Sequence, residues 1–191
     1  MMLTTAKPSK CKYCKQRMEA IGHKIHPECV DAWWENQKAK IQAKKEREQK
    51  RRDRARRVDL ETIPQLIKAA QKEFNAFIRE RDRLAGHPCI SSGRPLDWSG
   101  NSVDAGHYRS TGAASHLRFD ERNAHAQSKH DNQYKAGNVV EYRLNLIKRI
   151  GLEAVEALEA DNDPVKWDRD TLRQIKTIYR AKTRALKKEH S

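Results

Sequence analysis

Apolar residues recur at helical spacing over only parts of this chain, and those parts set its outline. Ile63, Leu66, Ile67, Ala70, Phe74, Phe77 and Ile78 follow a three-to-four rhythm that predicts one amphipathic helix. Thr62 and Gln65 form a T-x-x-Q capping box with Pro64 in the first turn, and the helix is expected to end near Gly86. Val140, Leu144, Ile147 and Ile150 predict a second apolar face, closed by Gly151. A short helix is expected around Glu153–Leu158, then a turn at DNDP (161–164). Asp168 caps a last helix that turns Leu172, Ile175, Ile178, Tyr179 and Leu186 inward.

Two stretches lack that rhythm. Between Lys38 and Arg57 there are eleven basic and three acidic residues and no Gly or Pro, which reads as a solvated helix or a partly disordered connector. Residues 87–138 are broken by Pro88, Gly93, Pro95, Gly100, Gly106, Gly112 and Gly137. Short strands are expected at Ser102–Ala105 and around His107–Arg109, making a small irregular α+β region. The fold class is therefore mainly α with a small α+β core and an N-terminal knuckle. Its segments are 1–34 (knuckle), 35–61 (basic helical connector), 62–86 (amphipathic helix), 87–138 (core) and 139–191 (C-terminal helical region).

Composition sharpens this outline. The 191 residues include 40 Lys and Arg against 26 Asp and Glu, a net charge of +14, and only 37% are hydrophobic. One large core along the whole chain is excluded. No apolar run approaches the ~18 residues of a membrane span, and the start has no apolar signal region. A cytoplasmic protein is expected. The positive excess points to a polyanion, most often nucleic acid.

Cys11, Cys14, His26 and Cys29 form C-x2-C-x11-H-x2-C. Two thiolates two residues apart grip one ion, and a second closely spaced pair completes a tetrahedron. This predicts a structural Zn2+ closed by protein on all sides, with no export signal to favour disulfides. His23 competes as fourth ligand. His26 is preferred because H-P-E-C mirrors the spacing of C-K-Y-C.

Residues 104–138 concentrate Asp104, His107, His116, Asn123, His125, His130, Asp131 and Asn132. A histidine beside a divalent ion held by carboxylate and amide oxygens can hydrolyse phosphodiesters. Such oxygen ligands suit Mg2+ or Mn2+. Asp104 and His107 can address one site if the chain turns at Ala105–Gly106.

FNAFIRERD (74–82), PCISSG (88–93), DAGHYRST (104–111), LRFDERNAHAQ (117–127) and NQYKAGN (132–138) occur in order, followed by the YR…RIG-x-E-A-V helix (142–155). On these motifs the chain resembles the phage NinG/Rap recombination nuclease family, which acts on branched DNA. The likeness covers most of the chain. The core also looks like an HNH-type, ββα-metal nuclease. What the resemblance implies is His107 as general base, Asn123 as the residue that orients it, and Asp104 and Asn132 as ligands of the catalytic ion. His125, His130 and Asp131 are second choices. Two departures stand out. The residue before the base, often acidic in that superfamily, is Gly106. Where related members place C-x-x-C pairs around a zinc, this chain has Cys89-x-x-Ser92 and Ser128-x-x-Asp131. A four-cysteine zinc is impossible there, and hydrogen bonds are expected in its place.

Arg109, Arg118, Arg122, Lys129 and Lys135 surround this site and are candidates for phosphate contacts, although a single surface lysine is more often only solvated. The basic stretches 38–57 and 180–188 could clamp the arms of a branched substrate. Expected partners are branched DNA, host or phage recombination proteins, and a homodimer partner through the apolar faces at 63–78 or 140–150, which could equally pack on each other within one chain. The competing functional reading is a non-catalytic branched-DNA accessory protein. An RNA-binding finger protein is a third, and the scattered aromatics give it no stacking platform.

Overall fold

The computed structural model describes residues 9–18, 24–134 and 138–190. The chain divides into two compact units at Leu60/Glu61.

In the first unit a tight turn carries Cys11 and Cys14. Lys10 and Arg17 form an antiparallel bridge, and Lys15 takes a positive φ of 65°. After a short 3-10 turn at Pro27–Cys29, helix α1 runs from Val30 to Leu60 without interruption. It thus crosses the expected 34/35 boundary as one element, and none of its residues is buried.

The second unit is built on α2 (Ile63–Leu84). Thr62 Oγ1 accepts from the Gln65 amide while Gln65 Oε1 accepts from Thr62 N–H, a reciprocal cap. The α2 face bearing Leu66, Ala70, Phe74, Phe77 and Ile78 packs on Leu172 and Tyr179 of a long helix at Arg169–Glu189, here α6. Ile178, expected inside, is 50% exposed, because Tyr179 one residue on turns into the core. The second cluster joins α4 (Val139–Ile150) and α5 (Leu152–Ala160) with Ile90, Ala114 and Leu117. Here the expected face is rotated. Tyr142 and Leu146 are buried, while Val140 and Leu144 are exposed, because the Tyr142 hydroxyl reaches in to the Gly106 carbonyl at 2.9 Å. The apolar face of α2 and the inward face of α4 are therefore covered within the chain, by α6 and α5. Val139, Val140 and Leu144 of α4 stay exposed.

Between these clusters lies a two-stranded antiparallel sheet. β1 is Val103–His107 and β2 is Ala124–Ser128, with Ala105 opposite Ala126. α3 (Lys129–Tyr134) follows β2 directly. The two short strands expected at 102–105 and 107–109 are thus one strand, and its partner is a segment with no predicted strand. β2, AHAQS, has no β-branched residue, so local propensity gives little sign of it. Long-range partners hold its outer edge instead. Arg81 donates to the Ala124 carbonyl (3.0 Å), Asp82 accepts from Ala126 N–H (2.6 Å), Ile90 N–H donates to the Ala126 carbonyl (3.1 Å), and Cys89 Sγ accepts from Ser128 N–H (3.2 Å). An open edge would otherwise invite pairing with another chain.

Candidate functional site

β1 runs extended through Ala105–Gly106 with no turn there, so successive side chains alternate between its faces. Asp104 and Gly106 lie on one face with Gln127 and His125 across from them. Ala105 and His107 lie on the other, over Phe74. Asp104 and His107 therefore do not share a face, contrary to the turn expected between them.

The structure brings Asp104 and Asn132 together. Asp104 Oδ2 accepts from Asn132 Nδ2 at 3.0 Å and from Gln133 Nε2 at 3.2 Å. Asn132 comes within reach because α3 begins as soon as β2 ends. Its amide nitrogen faces Asp104, which leaves the amide oxygen as a second hard donor beside the carboxylate. Gln133 was not singled out by the sequence, although it stands next to Asn132.

His107 closes β1 at the point where the sheet ends. Its Nε2 lies 3.0 Å from the Arg118 carbonyl, which can only accept, so Nε2 carries the proton and Nδ1 presents its lone pair. Nδ1 has no partner among the described residues and is not sealed from solvent. The ring stacks on Phe74 with centroids 5.9 Å apart. Burial lowers its pKa, so the imidazole is neutral near pH 7.

Asn123 is fully buried and does its holding through the loop. Its Oδ1 accepts from Arg109 N–H (2.8 Å), and its Nδ2 donates to the carbonyls of Arg109 (3.0 Å) and Leu117 (3.1 Å). It thereby ties together both ends of the segment that presents the Arg118 carbonyl to His107.

Several of the proposed phosphate contacts are already engaged. The Arg109 guanidinium caps the C-terminal end of α5, donating to the Leu158 (2.8 Å) and Asp161 carbonyls and to Asn162 Oδ1 (2.8 Å). Arg118 is held by Gln71 (3.2 Å) and the Thr111 carbonyl (3.0 Å). Arg122 pairs with Asp120 at 2.7 Å on the surface. Of the described candidates only the Lys129 ammonium has no partner among the described residues, and Lys135 lies outside them. His125 is buried with both nitrogens used. Nδ1 accepts from Arg81 (3.0 Å) and Nε2 donates to the Arg122 carbonyl (3.2 Å). His130 is exposed beside Asp131.

Gly106 also finds its reason. A Cβ there would lie 1.9 Å from Gln127 Oε1, and Gln127 is itself buried and bonded to Ser91 Oγ at 2.5 Å. The acidic side chain often found before the base has no room here. Gly106→Ala is expected to cost about 1–3 kcal/mol by forcing Gln127 aside. Urea denaturation measures it, and an unchanged midpoint would contradict this packing.

At the positions of the missing cysteines, hydrogen bonds do the joining. The Cys89 thiol donates to Asp131 Oδ2 (3.4 Å), Ser128 Oγ donates to the same oxygen (2.8 Å), and Asp131 N–H donates back to Ser128 Oγ (3.1 Å).

In the first unit the ligand atoms of Cys11, Cys14, His26 and Cys29 all lie within 4.8 Å of one another. Four donors about 2.3 Å or less from a common Zn2+ need little further movement. His26 Nδ1 faces Cys14 Sγ at 3.3 Å while its Nε2 contacts the Arg17 carbonyl at 3.3 Å. That second contact fixes the tautomer with Nδ1 free to ligate. His23 lies outside the described residues. Burial opposes ionisation of Cys11, yet the amides of His26, Cys14 and Tyr13 bring it down to about 6. Burial, with Cys14 and Cys11 alongside, pushes the Cys29 thiol up to about 11. One thiolate forms readily and opposes the next, a conflict that a divalent cation removes. The group fits zinc. One Zn2+ per chain is expected by elemental analysis, and Cys14→Ala is expected to abolish it. Full zinc content in that variant would count against this site.

The class this fold and these sites define is a mainly helical, basic protein with a two-stranded sheet and an N-terminal Cys3His group able to hold a metal. The family model described as Bacteriophage Lambda NinG protein matches residues 4–189. The "Protein ninG" of Escherichia phage 933W is 41% identical, over 97% of this chain and 98% of its own. That of Escherichia phage lambda is 39% identical over the same shares, and that of Salmonella phage P22 is 41% identical over 87% and 90%. The chain belongs to the NinG family. No solved structure matches it. Among the described residues, no helix is long and apolar enough to cross a membrane.

Proposed function

We propose that this protein is a metal-dependent, HNH-like endonuclease that cuts branched DNA recombination intermediates such as Holliday junctions or D-loops. The observation that carries the reading is the hairpin-and-helix arrangement. It pairs a carboxylate, Asp104, with an amide, Asn132, and ends the same strand on a neutral histidine whose Nδ1 is free.

Asp104 and Asn132 would hold Mg2+ or Mn2+ through oxygen, with water completing the shell. When bound, the ion supplies positive charge to the scissile phosphate and the leaving oxygen. His107 Nδ1 takes a proton from the attacking water, and the Arg118 carbonyl steadies the imidazolium through Nε2. In an in-line displacement the attacking and leaving oxygens stand on opposite sides of phosphorus. Asn123 is a positioning residue acting through the 109–118 loop. The preference for branched DNA comes from family resemblance, and the net charge supports a polyanion substrate.

Asp104→Asn is expected to raise the Mn2+ concentration for half-maximal cutting by at least about tenfold. Titrating Mn2+ in a single-turnover junction assay reads this directly. An unchanged Mn2+ dependence would remove Asp104 from the ion.

A further inference from the structure

Among the described residues, none of α1 is buried and its large apolar residues form no stripe. Every residue from 38 to 60 is exposed. Its acidic side chains do little to neutralise its cations. Glu46 accepts from Gln42 (3.0 Å), Asp53 accepts from Gln49 (3.0 Å), and Glu35 pairs with Lys38 at 2.7 Å.

The cations are also ordered. Lys40, Lys44, Arg47, Arg51 and Arg54 are spaced four, three, four and three residues apart. At about 100° per residue they fall within an arc of about 80°, and no acidic residue of α1 falls in it. At about 1.5 Å per residue the row is about 21 Å long. None of the five has an ion-pair partner among the described residues. Lys38, Lys45, Arg52 and Arg56 lie on the opposite side, interleaved with Asp31, Glu48 and Asp59.

We infer that this ridge on α1 is a duplex-binding surface that grips the DNA phosphate backbone without reading bases. A regular row of unneutralised cations complements a polyanion with about one charge per 1.7 Å of axis. An anionic membrane is the weaker match. An interfacial helix needs an apolar face to insert, and beyond residue 38 α1 has only Ile41, Val58 and Leu60 as large apolar residues, none forming a stripe. The surface deepens the proposed function by locating its DNA affinity, yet it does not require catalysis.

The test uses the full zinc-loaded chain carrying His107→Ala, so that binding is read without cutting. Binding of a linear duplex is measured by fluorescence anisotropy over a range of salt. Lys44, Arg47, Arg51 and Arg54 are changed together to Gln in one variant, and Lys38, Lys45, Arg52 and Arg56 in another. Both lose four charges, and Gln keeps helix propensity close to that of Lys and Arg; far-UV circular dichroism checks the helix. The ridge variant is expected to show a log Kd against log salt slope shallower by about 3 to 4, since each phosphate contact contributes about 0.9. The opposite-side variant is expected to change it by less than about 1. Equal losses in the two variants would overturn the ridge, as would no loss in either. Tighter binding to phosphatidylserine vesicles than to duplex, lost in the ridge variant, would also overturn it in favour of a lipid surface. A nuclease whose ridge variant binds normally defeats only this inference, whereas a ridge that binds in a chain that never cuts defeats only the catalytic one.

Discussion

Replacing His107 by alanine is expected to lower metal-dependent cutting of a four-way junction by about 10²- to 10⁴-fold, the usual worth of a positioned general base. Binding of the junction should stay within about threefold, because the ring sits at a strand end over Phe74 and is not part of a charged surface. The pH profile separates a base from a merely structural ring. Burial holds the imidazole neutral below its ordinary pKa of about 6.5. Cutting by the wild-type protein should therefore rise with pH along a limb centred below that value and level off by neutrality. A profile still climbing steeply above pH 8, or a variant that cuts at the wild-type rate, would take His107 out of the chemistry.

The second large effect is on stability, at Asp82. This fully buried carboxylate accepts from Ala126 N–H at 2.6 Å and from Arg81 Nε at 2.7 Å, with Arg149 at 3.5 Å. Burial works against its ionisation. The close approach of His125 (Nδ1 at 3.7 Å), the Arg81 hydrogen bond and charge, and the Ala126 amide outweigh that, and the carboxyl titrates far below the usual range. Asp82→Ala strips the β2 edge of an acceptor and leaves two guanidiniums facing each other in the interior. A loss of about 3–5 kcal/mol is expected, measurable as a large drop in the urea midpoint. A loss under about 1 kcal/mol would mean that the edge is held by other groups.

The same cluster sets a pH dependence. Burial lowers the pKa of His125, as it does for His107. The unfolded chain therefore takes up protons near pH 6.5 that the folded one refuses, so stability is complete above that value and falls as the pH drops through it. Asp82, with its depressed pKa, holds its contribution above about pH 4 and loses it only at lower pH. Wild-type midpoints should accordingly decline from pH 7.5 to 5.5.

Much of this arrangement was legible in the sequence because its signals are local. The ends of α2, α4 and α6 are written in Thr62–Gln65, Gly151 and Asp168, side chains and backbone that act within one turn. The Cys3His spacing likewise needs only a short loop to close. β2 was not legible, since AHAQS becomes a strand through Arg81, Asp82, Ile90 and Cys89, residues at least 34 positions away. The α4 face was misassigned because VVEYRLNLI offers two overlapping apolar faces, and only the reach of Tyr142 to Gly106 chooses between them. Asp82 did leave a sign. It falls on the apolar stripe of α2, four residues after Ile78, where a charge requires buried partners. The carbonyl partners of Arg109 and Arg118 were not legible either, since sequence records their charge and not the carbonyls they serve.

Cutting of branched DNA is tested most directly by incubating the purified wild-type chain with a labelled four-way junction and with a linear duplex of matching sequence, in Mg2+, Mn2+ or EDTA. Cuts are expected in the junction with either divalent ion, none in EDTA, and much less cutting of the duplex. Tight junction binding with no cut under any ion would contradict it, and would mark a protein that holds branched DNA for another enzyme.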